Sequence, residues 1–393
     1  MSKKKAYGML LFTLFTFILL GIVIGVELGS DSGKTENRNT SEITGNPGMN
    51  DNKGSDEAPP GDVTQEDGSE ENNASGDTTE ESKDVVMVFS GDIYMSDYVL
   101  GKYEKEGING VLSEDLQAEF RDSDIAMVNE EFPFSSRGKA MENKQFTFRV
   151  DPKWVRILSD MQVDIVTLAN NHTLDFGIEG LMDTLDTLSA SDIKYVGAGN
   201  NLEEAKETRY FNIHDKTIAV LGASRVIPVP GWNAESDKPG LFTTYDPTAL
   251  LEEIKAAKEQ SDFVVVYVHW GIERDTKPKE YQRGLAKQYI DAGADLVVGS
   301  HPHVLQGIEY YKDKPIVYSL GNFMFYNTID STALLKATFT DEDGVRLQLI
   351  PCKANNALTY VVDDKAARAE FYRYITDISF DAVFDENGLT AQK

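Results

Sequence analysis

The sequence predicts an α/β fold. Two observations carry that prediction. Short apolar, β-branched runs alternate with stretches of helical spacing between residues 85 and 298, and three histidine-bearing motifs each sit where such a run ends. The motifs are ANNHTLDFG with His172, VYVHWG with His269, and GSHPHV with His301 and His303; together they hold four of the chain's five histidines. In an open α/β sheet the strand ends lie along one edge, the edge on which sites are built. Neutral imidazole is the commonest protein ligand for transition metals, and Asp, Glu and Asn oxygens complete such sites. The pattern points to a metal centre.

In chain order, the first element is a membrane segment. Lys3, Lys4 and Lys5 precede residues 9–26, a run with no charged side chain, and about 17–25 apolar residues span a bilayer. A cleaved signal peptide has a shorter apolar core and an Ala-x-Ala-like site after it; Gly25-Val26-Glu27-Leu28 lacks that site. Residues 1–26 are therefore expected to be cytoplasmic lysines and one transmembrane signal anchor in the cell membrane, with everything after Glu27 extracytoplasmic. Residues 27–83 contain no aromatic side chain and carry 15 acidic against 4 basic ones. Such a stretch cannot bury enough apolar surface to offset its ordering entropy, so it reads as a disordered acidic linker, a self-repelling tether.

The folded domain is expected over residues 84–352. Strands are expected at 85–89, 125–128 and 164–168, with a helical stretch at 154–161 and a helix marked by Leu181, Leu185 and Leu188. Further strands at 217–221 and 263–268 flank a helix at 249–258, and a helix at 281–291 leads into a strand at 295–298. Two hairpins follow: 308–311 with 316–319 across Lys312-Asp313-Lys314, and 334–340 with 345–350 across Glu342-Asp343-Gly344. Residues 353–393 offer one helix, 366–375, and a polar tail.

Charge and composition narrow the function. A formal charge of −27 argues against nucleic acid as a partner, because phosphate binding runs on clustered Lys and Arg. It also means that an anionic substrate needs a local positive centre, which a metal pair supplies. The single cysteine, Cys352, excludes an intramolecular disulfide and reads as a structural residue. No Gly-x-Ser-x-Gly elbow or P-loop is present, and Gly197-Ala198-Gly199 lacks the rest of a dinucleotide fingerprint.

Asp92 follows the first strand on a Gly-Asp turn, and Asn129 and Glu131 end the second, with Pro133 fixing the loop beyond. Alone, each would be an ordinary turn or surface residue. Asn170-Asn171-His172 is sharper, since two asparagines before a histidine call for a special backbone or a ligand role. Asp175, three residues on, is placed to orient the imidazole. His301 and His303 flank Pro302; in extended structure alternate residues share a face, so both rings are expected to point into one site. A lone histidine such as His269 is more often a satisfied core residue, but beside this pair and the NNH motif it reads as a ligand. His214 sits in a polar turn and carries no expected role.

Read in order, FSGDIY, VNEEFP, ANNHTLDFG, VHWG, SHPHV and YSLGNF resemble the motif series of the CapA/PgsA family, membrane-anchored bacterial proteins of poly-γ-glutamate capsule synthesis. That family is similar to the calcineurin-like metallophosphoesterases. The resemblance covers about residues 84–350 and implies a four-layer α/β sandwich around a two-metal site, preceded here by the transmembrane helix and the disordered acidic linker. It further implies that Asp92, Glu131, Asn171, His269, His301 and His303 are metal ligands, Glu131 standing where the phosphoesterases place a bridging aspartate. His172 would contact substrate or protonate the leaving group. The implied cofactor is one or two divalent transition ions of the Mn, Fe or Zn type. The implied partners are the cell membrane, an anionic polymer such as poly-γ-glutamate and a membrane synthase complex. Two departures stand out: Tyr94 replaces the histidine of the phosphoesterases' first Asp-x-His motif, and the bridging aspartate is a longer glutamate. Two readings follow, a metal-dependent hydrolase-like protein and a non-catalytic polymer-binding component of a synthase or export complex. A third is an envelope role unrelated to that polymer.

Overall fold

The structure, a computed structural model, describes residues 84–393. The expected anchor and acidic linker lie outside the described residues. Among the described residues no helix is long and apolar enough to cross a membrane.

The first half winds as β1 (Val85–Ile93), α1 (Asp97–Glu106), α2 (Glu114–Arg121), β2 (Ile125–Glu130), α3 (Arg156–Asp160), β3 (Ile165–Thr167), α4 (Gly177–Ala190) and β4 (Lys194–Val196). A short pair, β5 (Ala198–Gly199) and β8 (Gly240–Leu241), brackets the turn α5 (Leu202–Ala205) and the hairpin β6 (Arg209–Ile213) and β7 (Lys216–Ser224). Then come α6 (Thr248–Lys258), β9 (Phe263–His269), α7 (Glu280–Ala292) and β10 (Leu296–Ser300). The chain continues through β11 (Leu305–Tyr311), β12 (Lys314–Leu320), β13 (Asn322–Met324), β14 (Thr328–Thr340), β15 (Gly344–Asn355) and β16 (Leu358–Val361). It ends with α8 (Lys365–Ile378) and a small hairpin, β17 (Ala382–Phe384) and β18 (Thr390–Gln392).

These strands build two main sheets, where the motif pattern alone suggested one open edge. The first runs β16-β15-β14-β1-β2-β3-β4, with β13 also beside β1; the second runs β11-β12-β10-β9-β7-β6. Strands β1 to β4 are parallel, as are β7, β9, β10 and β12. The alternation of side chains explains the layering. Val85, Met87 and Phe89 of β1 share a core with Val265 and Tyr267 of β9, so the sheets pack face to face. The other face of the first sheet, Val88, Val128 and Val166 among them, packs on Leu116, Ile157, Leu181 and Leu185 of its helices. Val264, Val266 and Val268 pack on Leu250, Ile254, Tyr289 and Ile290 of α6 and α7. The order is helices, sheet, sheet, helices.

The C-terminal helix covers the expected 366–375 with margin, and its Phe371, Tyr372 and Ile375 join the core between the sheets. The stretch read as a polar tail contains the hairpin β17–β18, too short for a periodic signal. The second sheet is fastened to α7 by one acid. Glu309 accepts from Arg283 at 2.9 Å, from Lys287 at 2.9 Å and from Tyr318 at 2.7 Å. Burial works against its charge, but the hydrogen bonds from Arg283, Tyr318 and Lys287 outweigh it and hold the carboxyl at about 2. Because this folded value lies below the unfolded one of about 4.3, the stabilisation is present above pH 4.3 and is lost as pH falls through 2. Glu309→Gln is expected to destabilise the protein by about 2 kcal/mol at pH 7, the gap to wild type closing toward pH 2. Urea unfolding at pH 7, 4 and 2.5 measures it; a gap independent of pH would rule the linkage out.

Candidate metal centre

The site forms where the C-terminal ends of both sheets meet. In the first sheet, Gly91 lets β1 pass hard against the turn before β13: a Cβ there would lie 1.8 Å from the Gly321 oxygen. That close approach seats Asp92, whose N–H donates to Gly321 O at 2.9 Å. Its Oδ1 accepts from Asn129 Nδ2 at 2.8 Å, and Asn129 Oδ1 accepts from Asn170 Nδ2 at 3.0 Å. A chain of amides thus ties together the ends of β1 and β2 and the loop after β3. Asn170 also turns that loop, its Oδ1 accepting from the N–H groups of His172 and Thr173 at 3.0 and 3.1 Å. The doubled asparagine divides its labour: Asn170 shapes the backbone and Asn171 enters the cluster.

From the second sheet, His269 ends β9, fully buried. Its Nδ1 lies 3.0 Å from Ser300 Oγ, while Nε2 lies 2.8 Å from Asn171 Oδ1 and 3.6 Å from Glu131 Oε1. The extended geometry expected for His301-Pro302-His303 is not found. His301 and His303 have φ of 98° and 58°, left-handed values that non-glycine residues seldom adopt. The turn is held from outside, by Trp270 N donating to Ser300 O at 3.0 Å and Arg274 N donating to Pro302 O at 2.7 Å. Such strain persists where surrounding contacts over-determine it, and it gathers at functional sites. Both rings still reach the same cluster, 5.9 Å apart, with His301 4.7 Å from His269.

Two groups of metal-competent side chains result: Asp92, Glu131 and His303, and Glu131, His269 and His301. Glu131 belongs to both. His303 Nδ1 lies 3.2 Å from Asp92 Oδ2 and 3.8 Å from Glu131 Oε2, and 2.8 Å from Asn322 Oδ1. Both Glu131 oxygens and His301 Nδ1 are buried with no hydrogen-bond partner, and Asp92 Oδ2 has only His303 beside it. Buried polar atoms are normally satisfied, and unsatisfied atoms gathered in these two groups fit a cation. Electrostatics agrees. Burial and then Asp92 push the Glu131 carboxyl well up. Burial pulls His303 down, but Glu131 and Asp92 outweigh it and hold the imidazole at about 10. Burial, then the neighbouring histidines, depress His269 and bring His301 to about 3, leaving both rings neutral and able to ligate.

His172 and Asp175 stand beside this cluster. His172 Nδ1 lies 2.6 Å from Asp175 Oδ2, and the ring stacks on Phe148 at 4.1 Å. Asp175 holds more than the imidazole: its carboxylate also accepts from Phe148 N at 2.7 Å and from Lys144 Nζ. Lys144 in turn reaches Asn171 O and lies 3.1 Å from His172 Nδ1. The loop bearing Lys144 and Phe148 is thereby bolted to the NNH motif. Sequence reasoning missed both residues, which sit in an aperiodic loop with no motif of their own. Asn322, within YSLGNF, was visible as a motif but not as a partner of His303. Tyr94 does not substitute for a ligand; it stacks on Phe148 at 4.1 Å and packs among Phe132 and Phe325. His214 lies in the β6–β7 turn, away from the site, 3.5 Å from Asp124. Cys352 is buried, and burial pushes its thiol up to about 12.

Known proteins carry the same arrangement of sequence. The family model of the bacterial capsule synthesis protein PGA_cap matches residues 86–327, which include every residue of the cluster. The PGA biosynthesis protein CapA of Bacillus subtilis (strain 168) is 38% identical over 247 residues, 62% of this chain and 64% of that one, so the match spans a little under two thirds of that protein. The capsule biosynthesis protein CapA of Bacillus anthracis is 32% identical over 306 residues, 75% of this chain and 74% of its own. A probable polyglutamine synthesis accessory protein of Mycobacterium tuberculosis is 30% identical over 253 residues, covering 59% and 67%. With more than half of its length matched by the model, the chain belongs to the bacterial capsule synthesis protein family PGA_cap.

Proposed function

We propose that this protein is a membrane-anchored, extracytoplasmic component of poly-γ-glutamate capsule synthesis or export that carries a calcineurin-like, metal-dependent hydrolase-like site. The observation that carries the reading is Glu131, a buried carboxylate shared by two sets of ligands with both oxygens unpartnered. Asp92 and His303 would complete one set, and His269, His301 and Asn171 the other. The three imidazoles favour Mn, Fe or Zn over Ca. When bound, a pair of such ions supplies Lewis-acid polarisation of the attacked group and a nucleophilic water at neutral pH.

The chain's own residues do the rest. Asp175 fixes the His172 ring through Nδ1, which leaves Nε2 to take up a proton and hand it to a leaving group. Lys144 holds the loop that closes over the ring, and Phe148 shields one face of the imidazole from water. Partners of the reading are the polymer and a membrane synthase; the charge of −27 argues against nucleic acid. One observation favours a non-catalytic polymer-binding role: Tyr94 is packed away, so the first set has three candidate ligands in place of a fuller one.

The test is metal content by elemental analysis of the protein after growth with Mn, Fe and Zn. One or two equivalents are expected, lost in His301→Ala/His303→Ala. A wild-type protein that stays metal-free under those conditions would remove the hydrolase-like reading and leave the scaffold.

A further inference from the structure

One large cavity, about 940 Å³, opens at the metal centre, lined there by His172, His303, Asn322 and Arg274. It runs along the start of β14 and the end of β15 to the first turns of α8, where Val362, Ala367, Phe371 and Tyr374 form its far wall. Pockets that enclose whole small molecules are of this size. Its lining mixes apolar Phe146, Phe325 and Ile329 with polar Thr328, Asp330 and Ser331. Three of its aromatics are open to solvent, Phe146 at 61%, Tyr326 at 52% and Tyr374 at 38%.

The charges speak against a polycarboxylate in this space. Glu273, Asp330 and Glu370 line the cavity against Arg274 and Lys353. Away from the metal end, Asp330 and Glu370 outnumber Lys353, so a chain bearing one carboxylate per residue meets more acid than base along that stretch, and like charges at close quarters oppose binding. Arg274 lies at the metal end, its backbone tied to Pro302 between the two histidines and held at φ 63°. Arg274 supplies positive charge at that end with Glu273 next to it in the chain, while Lys353 lies on β15.

We infer that this cavity is a subsite for an amphiphilic ligand, with a single phosphate head at the metal centre and an uncharged apolar body laid along Phe325, Ile329, Phe371 and Tyr374 as far as α8. The inference rests on the metal-centre reading for its head group and deepens it by naming the substrate class. The polymer, in this arrangement, is handled elsewhere on the protein or by its partners. Burying the body supplies affinity through apolar area removed from water, while the head aligns one phosphate with the cluster.

The experiment is calorimetric titration of the full chain, loaded with Mn²⁺, with methyl phosphate, n-octyl phosphate below its micellar concentration, octanol and a poly-γ-glutamate oligomer. Each is repeated on Ala367→Trp, which fills the far end of the cavity, and on Tyr374→Asp, which places a charge there. Both variants are checked for wild-type thermal unfolding. In wild type, octyl phosphate is expected to bind at least about tenfold more tightly than methyl phosphate, with that ratio falling toward one in both variants. A ratio near one in wild type, with methyl phosphate still binding, overturns the cavity assignment and leaves the metal centre standing. Octanol binding that is sensitive to Ala367→Trp, with no phosphate binding at all, overturns the metal-centre reading and supports the apolar subsite. Displacement of octyl phosphate by the oligomer, itself weakened in Ala367→Trp, overturns the proposal in favour of the polymer.

Discussion

Glu131→Gln is expected to abolish both metal positions at once and to change sign in its effect on stability when metal is added. In the metal-free protein the wild-type carboxyl is buried beside Asp92 with neither oxygen satisfied, and burial followed by Asp92 pushes its pKa well up. A folded value above the unfolded one of about 4.3 means that the stability this group contributes is present below pH 4.3 and is lost as pH rises through the folded value. The amide does not titrate, so in chelator at pH 7 the variant is expected to be the more stable protein. With metal at about a hundred times its dissociation constant, each occupied site stabilises wild type by about 2.7 kcal/mol, and the variant gains nothing. The two melting curves should therefore exchange order between EDTA and Mn²⁺ or Zn²⁺. His303→Ala, which touches only one group, should lose about half the bound metal. Identical wild-type unfolding temperatures with and without metal would show that Glu131 holds no ion.

His172→Ala is expected to separate chemistry from metal. The ring belongs to neither ligand group, so metal content should stay at wild-type level. Hydrolysis of p-nitrophenyl phosphate should fall by about 10²- to 10⁴-fold, the usual worth of a positioned proton donor. Asp175→Asn should lower the same rate and also loosen the loop at Lys144 and Phe148, because one carboxylate serves all three neighbours. Faster proteolysis of residues 138–148 in that variant, absent in His172→Ala, would mark the difference. Loss of metal in His172→Ala would place this histidine among the ligands. Unchanged capsule production and unchanged hydrolysis would remove it from the chemistry.

Most of the buried strands were legible because their sequences are local statements. Phe263-Val264-Val265-Val266-Tyr267-Val268 is buried on both faces and reads as a strand in any context. The division into two sheets was implied by the family resemblance and not by any local run, since pairings such as Val85 with Phe339 within the first sheet join residues far apart in sequence. Helices α1 and α2 were missed for a different reason. They are short and polar, and each buries only two side chains, Val99 and Tyr103 in one and Leu116 and Phe120 in the other. The cluster residues were found through their motifs, but their backbone was not: Pro302 suggested extension, whereas neighbouring loops hold His301 and His303 left-handed. Lys144 shows the limit most plainly. A lysine in an aperiodic loop has no signature until the fold brings Asp175 to it.

The division of the cluster between two sheets has a consequence for how the protein is made. Asp92, Glu131 and Asn171 come early in the chain, and His269, His301 and His303 come after the crossover into the second sheet. Each candidate group takes residues from both halves, so neither can be assembled before synthesis has passed His301. Before His269 the emerging chain carries only His172 and His214 as imidazoles, and neither belongs to a candidate ligand group. Were the cluster to bind metal, loading would wait until the two halves have met.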